Sequence, residues 1–234
     1  MKKLKIGIIG VGRLGYEHAC NIANRVPGSE LVAIADANFD RAKQVAEELG
    51  VTAVYNDPKD LCADPNVEAV AIITNTASHV EMIKIAMDAG KHVFCEKPLA
   101  PEADACKRIV EAEMAAGKQL VQVGFMRRYD HSYQVAKKKM ENGDIGDVIL
   151  VRCYSQDPIS IIEGTLEYAP RSGGQFIDMS IHDFDLIRWL TGSEVKELWA
   201  TGGCYEFKQY KDWDDGDNVS GLMKMENDAM AFFF

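Results

Sequence analysis

Basic charge is scarce in this chain of 234 residues. Twenty-six lysines and arginines face 36 aspartates and glutamates, giving a formal net charge of −10. A nucleic-acid groove needs clustered cations, and the only dense basic run is Lys137–Lys139, inside a helical-looking stretch that reads as a solvated face. Long apolar runs are also missing. No stretch approaches the roughly 18 residues that a membrane helix needs. The six cysteines (20, 62, 95, 106, 153, 204) form no C-x-x-C pair, which argues against a zinc site or a disulfide framework and for free, mostly buried thiols. There is no internal repeat and no low-complexity segment. The opening MKKLKIGIIGVG imitates a signal peptide, but its glycines suit a turn and no small-residue cleavage site follows. The expectation is a cytoplasmic protein with no metal, no nucleic-acid partner and no membrane partner.

What is present is a strict alternation. Apolar runs at Leu4–Ile9, Glu30–Ala35, Thr52–Tyr55, Glu68–Thr74, Lys91–Cys95 and Gln119–Gly124 are separated by helical patterns at Tyr16–Arg25, Asn38–Leu49, His79–Ala89 and Pro101–Ala116. Strands apolar throughout and divided by helices predict a parallel sheet covered on both faces. After Gly124 the pattern changes. A helix at Ser132–Asn142, a longer strand at Val148–Ser155, a helix near Phe176–Leu190 and three strands joined by turns predict an α+β domain with an open, mostly antiparallel sheet. The domain reading is 1–124, a doubly wound Rossmann domain, and 125–234, a substrate and oligomerisation domain. The chain stops at AFFF, an apolar strand without a polar tail, so the expectation is part of a longer polypeptide.

The sequence GIIGVGRLG places Gly10, Gly12 and Gly15 in G-x-G-x-x-G spacing after a strand and before a helix, the context that gives this motif meaning. Gly10 would make the tight turn, Gly12 would admit a pyrophosphate and Gly15 would let helix and strand close up. Val11, Arg13 and Leu14 complete the loop that would face the dinucleotide. Asp36 ends the second strand, where an acid binds the adenosine ribose hydroxyls. Its charge would repel a 2′-phosphate by about 4 kcal/mol at ~4 Å and an effective dielectric of ~20, before screening. NAD is therefore expected over NADP, although Arg41 lies within reach of a phosphate. Thr74, which ends the fourth strand, and Asn75 and His79, which follow it, are candidate cofactor contacts. Glu96, Lys97 and Pro98 end the fifth strand at the same edge. Lys97 would stand by the nicotinamide, oriented by Glu96, with Pro98 fixing the backbone.

The segment SGGQFIDMSIHDFDL sets Asp178 and His182 four residues apart, on one face of a helix, as an acid that orients a general base. A second reading has Asp178, His182, Asp183 and Asp185 bind a metal. A third leaves His182 structural. One of Arg127 and Arg128 would line the substrate site, the other making an ion pair.

Together GIIGVGRLG, IADAN, CEKPL, GFMRRYD and GGQFIDMSIHDFDL, in that order and spacing, resemble the glucose-fructose oxidoreductase / inositol dehydrogenase / MocA family, most nearly its bacterial inositol 2-dehydrogenases. The resemblance implies a Rossmann domain followed by an α/β domain with a large sheet, which normally continues for about another hundred residues. It implies a catalytic set of Lys97, Asp178 and His182, a polyol substrate and a homotetramer formed through the second-domain sheet. Within that reading Arg127 and Asp157 are candidate hydroxyl contacts. The segment SQDPIS at 155–160 falls where myo- and scyllo-inositol enzymes differ, which leaves the isomer open. A dehydrogenase for another sugar or sugar acid, and a dinucleotide-binding protein without turnover, stand as alternatives.

Overall fold

The computed structural model describes residues 2–234. They form two compact units, one up to Gly124 and one from Phe125 to Phe234.

The first unit holds six strands, β1 (Leu4–Ile9), β2 (Ser29–Ala35), β3 (Ala53–Tyr55), β4 (Ala69–Ile72), β5 (His92–Cys95) and β6 (Val121–Val123). All pair in parallel in the order β3-β2-β1-β4-β5-β6. Five helices connect them: α1 (Arg13–Asn24), α2 (Phe39–Leu49), α3 (Pro58–Ala63), α4 (His79–Asp88) and α5 (Ala103–Ala116). Alternation along the strands sends neighbours to opposite faces. Ile9, Val70, Ile72 and Val93 pack with Leu61, Ile83 and Ile109 on one side. Ile8, Ile34 and Ala71 pack with Ala19, Ala42 and Val45 on the other. Ile8, Ile34 and Ile72 are fully buried, each contributing about 1.5–3 kcal/mol. This is the doubly wound sheet that the alternation predicts. Its strand order reverses direction between β1 and β4, the place where such sheets bind ligands beyond the strand ends.

Several elements are shorter than their apolar patterns. β6 begins at Val121 because the amides of Leu120 and Val121 donate to Glu113 Oε1 at 2.6 and 2.7 Å. α2 starts where Asn38 Oδ1 accepts from Arg41 N and stops at Gly50, φ 70°, a left-handed cap that glycine adopts without penalty.

The second unit contains α6 (His131–Glu141), α7 (Ile162–Tyr168), α8 (Gln175–Asp178) and α9 (Ile181–Thr191), with strands β7 (Leu150–Cys153), β8 (Val195–Gly203), β9 (Asn218–Met225) and β10 (Met230–Phe233). The sheet runs β7-β10-β9-β8. β7 and β10 are parallel and the other two pairs antiparallel, so the sheet is mixed and mostly antiparallel. One face packs on Leu186 and Ile187 of α9, with the Phe184 ring edge-on to Phe233 at 5.0 Å. Leu150, Trp199, Met230 and Phe232 stay exposed.

The single helix expected near 176–190 is two. The Ser180 amide bonds to the Gln175 carbonyl, five residues back, and those of His182 and Asp183 bond three back to Met179 and Ser180. This wide turn followed by a tight one breaks the regular four-residue ladder. All six cysteines are free thiols. No described helix is long and apolar enough to cross a membrane.

Candidate active site and cofactor-binding loop

The glycine loop joins β1 to α1 against the end of β4. Gly10 has φ +89°, and a Cβ there would lie 2.5 Å from the Ile73 carbonyl oxygen. A Cβ on Gly15 would lie 2.0 Å from the Gly10 carbonyl oxygen. Neither position accepts a side chain. Gly12 is different, since a Cβ there meets nothing within 4 Å. It is also the residue before α1, and no side chain caps that helix. An open approach to uncapped helix N–H groups is what an anionic pyrophosphate requires, so these residues fit a dinucleotide.

Asp36 follows β2 directly. Its Oδ2 accepts from Val11 N at 2.7 Å and its Oδ1 from Asn38 N at 2.8 Å, which fixes the carboxylate beside the loop. Val11 was expected to face the cofactor. It is instead wholly buried, and its amide is spent on Asp36. Arg13 and Leu14 are exposed. Arg41 donates through Nε to the Val11 carbonyl at 3.1 Å and lies over the Tyr16 ring, so it braces the loop from outside.

Past β4, Ser78 Oγ donates to Thr74 Oγ1 at 2.7 Å, and Asn75 Oδ1 accepts from Ser78 N at 3.2 Å, which caps a short 3-10 turn, Thr76–Ser78. His79, another expected cofactor contact, is 1% exposed. Its ring nitrogens lie 2.8 Å from the Pro98 carbonyl oxygen and 3.3 Å from that of Thr74. The enclosed ring is a strut between the ends of β4 and β5, and the expectation of direct contact is corrected.

Beyond β5 the Lys97–Pro98 peptide is cis. Glu96 Oε2 accepts from Lys97 N at 3.0 Å, and Glu96 Oε1 lies 2.9 Å from His18 Nε2. Burial opposes ionisation of Glu96, but the His18 bond, the Lys97 amide and the charges of both outweigh it and hold its carboxyl below the ordinary value. Glu96 therefore serves the frame around Lys97, where it had also been expected to touch the cofactor. Burial pushes the neighbouring Cys95 thiol far up, so it stays protonated and unreactive. His18 escaped the sequence reading. Its only signal was its position three residues after Gly15, on the same helix.

In the second unit His182 is buried in the first turn of α9. Asp178 ends α8, so the break separates them and one helix face does not carry both. Asp183 and Asp185 are 1% and 5% exposed. Asp183 pairs with Arg127 Nη1 and accepts from Ser155 Oγ at 2.8 Å, while Arg127 Nη2 donates to Ser155 Oγ. Arg128 grips Asp185 with two bonds of 2.8 and 2.7 Å. Both arginines thus make ion pairs, where one had been expected to face the substrate. Spending Asp183 and Asp185 on arginines also removes half of the suggested metal set. No group of three or more metal-ligating side chains exists among the described residues.

Asp178 and Asp157 both line a cavity of about 590 Å³ within this unit. Two further acids shape it. Asp215 accepts from Gln175 N at 3.1 Å, at the start of α8. Asp217 accepts from the amides of Tyr205, Glu206 and Phe207. Its burial is outweighed by those amides and by Asn218, and its carboxyl falls to about 2. The acid-rich stretch 212–217 signals such loop-holding carboxylates, but sequence alone does not say which amides they meet.

The model of the oxidoreductase family with an NAD-binding Rossmann fold matches residues 4–125, and that of the GFO/IDH/MocA C-terminal domain matches residues 133–234. A myo-inositol 2-dehydrogenase of Thermotoga maritima is 37% identical over 97% of this chain and 67% of its own length. An NAD(+) scyllo-inositol 2-dehydrogenase of Bacillus subtilis is 39% identical over 97% of this chain and 65% of its own. The crystal structure of scyllo-inositol dehydrogenase from Lactobacillus casei with bound NAD(H) and scyllo-inositol superimposes with a TM-score of 0.92 at 37% identity, covering 99% of this chain and 69% of that one. The chain thus spans about two thirds of the length of the relatives it matches. With both of its units matched in order, it belongs to the GFO/IDH/MocA family of oxidoreductases.

Proposed function

We propose that the protein is an NAD-dependent cyclitol dehydrogenase that oxidises one hydroxyl of myo- or scyllo-inositol to the ketone. The observation that carries this reading is the likeness, at a TM-score of 0.92 over 99% of the chain, to an enzyme crystallised with NAD(H) and scyllo-inositol. The open approach at Gly12 and the tethered Asp36 carboxylate support NAD as the cofactor, with Asp36 taking the ribose hydroxyls. Bound NAD supplies the hydride acceptor. The protein supplies position, proton transfer and charge. His182 takes the proton of the reacting hydroxyl as general base, and Asp178 steadies the imidazole as it gains charge. The ammonium of Lys97 stabilises the oxygen as negative charge grows on it. Asp157 and Asp178, which line one cavity, are suited to accept from the remaining ring hydroxyls, because a polyol leaves no polar group unpaired without cost. Arg127 acts at one remove, by fixing Ser155, the first residue of SQDPIS. The exposed Leu150, Trp199 and Met230 support association through the second-unit sheet.

The test is NADH formation at 340 nm with a panel of inositols, aldoses and sugar acids. Turnover is expected first with myo- or scyllo-inositol, and with NAD before NADP. Turnover confined to a sugar acid, or NADP used as well as NAD, would overturn the substrate or cofactor assignment respectively.

A further inference from the structure

The frame around Lys97 depends on a residue that the reaction itself does not use. Glu96 Oε1 lies 2.9 Å from His18 Nε2, and Glu96 Oε2 accepts from Lys97 N at 3.0 Å. Each carboxylate oxygen has its own partner, which fixes both the position and the plane of the group. A third element closes the arrangement. A Cβ on Gly124, just past β6, would lie 3.2 Å from Glu96 Oε1 and 3.0 Å from the Phe94 ring. The space is shaped to the carboxylate. His18 itself sits in the second turn of α1, with its ring 5.6 Å from Phe94.

We infer that His18 is a positioning residue, which through Glu96 sets the backbone of Lys97 in register with α1 and the glycine loop. α1 runs unbroken from Arg13 to Asn24, so His18 moves rigidly with the uncapped helix start about 7–8 Å away. The inference rests on the catalytic assignment of Lys97 proposed above.

Two substitutions separate the hydrogen bond from the ring. His18→Phe keeps an aromatic ring against Phe94 and removes the donor. His18→Gln removes the ring but carries a side-chain nitrogen at nearly the reach of Nε2. Steady-state kinetics with NAD and inositol, NADH fluorescence titration and thermal melts are measured for both, for Gly124→Ala and for Lys97→Met. The expected result is a fall in kcat of about tenfold or more in His18→Phe and Gly124→Ala, as small misplacements of reacting groups produce. KM and NADH affinity should stay within about threefold, and His18→Gln should recover most of the loss. The inference is overturned if His18→Phe keeps the wild-type kcat, or if His18→Gln loses as much as His18→Phe. A Lys97→Met variant with wild-type kcat overturns both readings. Loss in Lys97→Met beside an unaffected His18→Phe overturns this one alone.

Discussion

Three glycines in one motif carry three separable demands. Gly15 has no room for a methyl group, which would stand 2.0 Å from the Gly10 oxygen. Gly15→Ala should therefore force the backbone to shift, lowering stability by about 1–3 kcal/mol and NADH affinity with it. Gly12 has room, so Gly12→Ala should leave the thermal midpoint unchanged within a degree or two while NADH affinity falls tenfold or more. Thermal melts beside fluorescence titrations read both. The spacing alone assigns these roles, because turn geometry is local. His79 and Val11 lie beside the same loop and were misread, because burial is decided by residues distant in sequence. Asp217 gives a pH signature. Its carboxyl sits at about 2, below the ordinary 3.8, so it adds stability that is fully present above pH ~4 and lost as pH falls through ~2. Discounted for solvent screening, the contribution is on the order of 1 kcal/mol. The difference in stability between wild type and Asp217→Asn should shrink as the pH is lowered from 5 to 2.5.

Among the elements, the segment after Gly124 and helix α9 are locked by two arginine pairs. Arg128→Leu would strand Asp185, 5% exposed, as a buried charge without its cation, at a cost of about 3–5 kcal/mol. The pair Arg128→Leu with Asp185→Leu should cost much less than the single change, and denaturant titration of the four proteins in a double-mutant cycle measures the coupling. The sequence put an acid-histidine cluster and an arginine pair on display, since each lies in one short segment. It concealed their pairing, Arg127 with Asp183 and Arg128 with Asp185, because those partners are 56 and 57 residues apart. It also concealed the break between α8 and α9, where the apolar period runs on although the hydrogen-bond ladder does not.

For the whole molecule, the first unit was legible nearly strand by strand, since β1, β2 and β4 are mostly apolar and a helical pattern follows each. The strands of the second unit were legible too, but their exposure and pairing were not. Its β8 is exposed along almost its entire length and carries no alternation to read, and the parallel pairing of β7 with β10 joins strands far apart in the chain. Each unit has a core of its own, so a ligand held by one should steady that one first. Saturation with NADH at about a hundredfold excess over Kd stabilises whatever binds it by about 2.7 kcal/mol. Hydrogen exchange should then slow in β1, β4 and α1 more than in β9 and β10. Equal slowing in all five would contradict a cofactor site built on the glycine loop alone.

The widened turn at Ser180 has a consequence for evolution as well as for chemistry. Each residue of a helix advances the side-chain direction by about 100°, and between Asp178 and His182 a bond reaching five back is followed by bonds reaching three back. Leu186 and Ile187 hold α9 in the core, so removing a single residue from that turn would rotate α8, with Asp178, by about 100° relative to His182. The relative aim of Asp178 and His182, the acid and base proposed above, is thus stored in the phase between two helices.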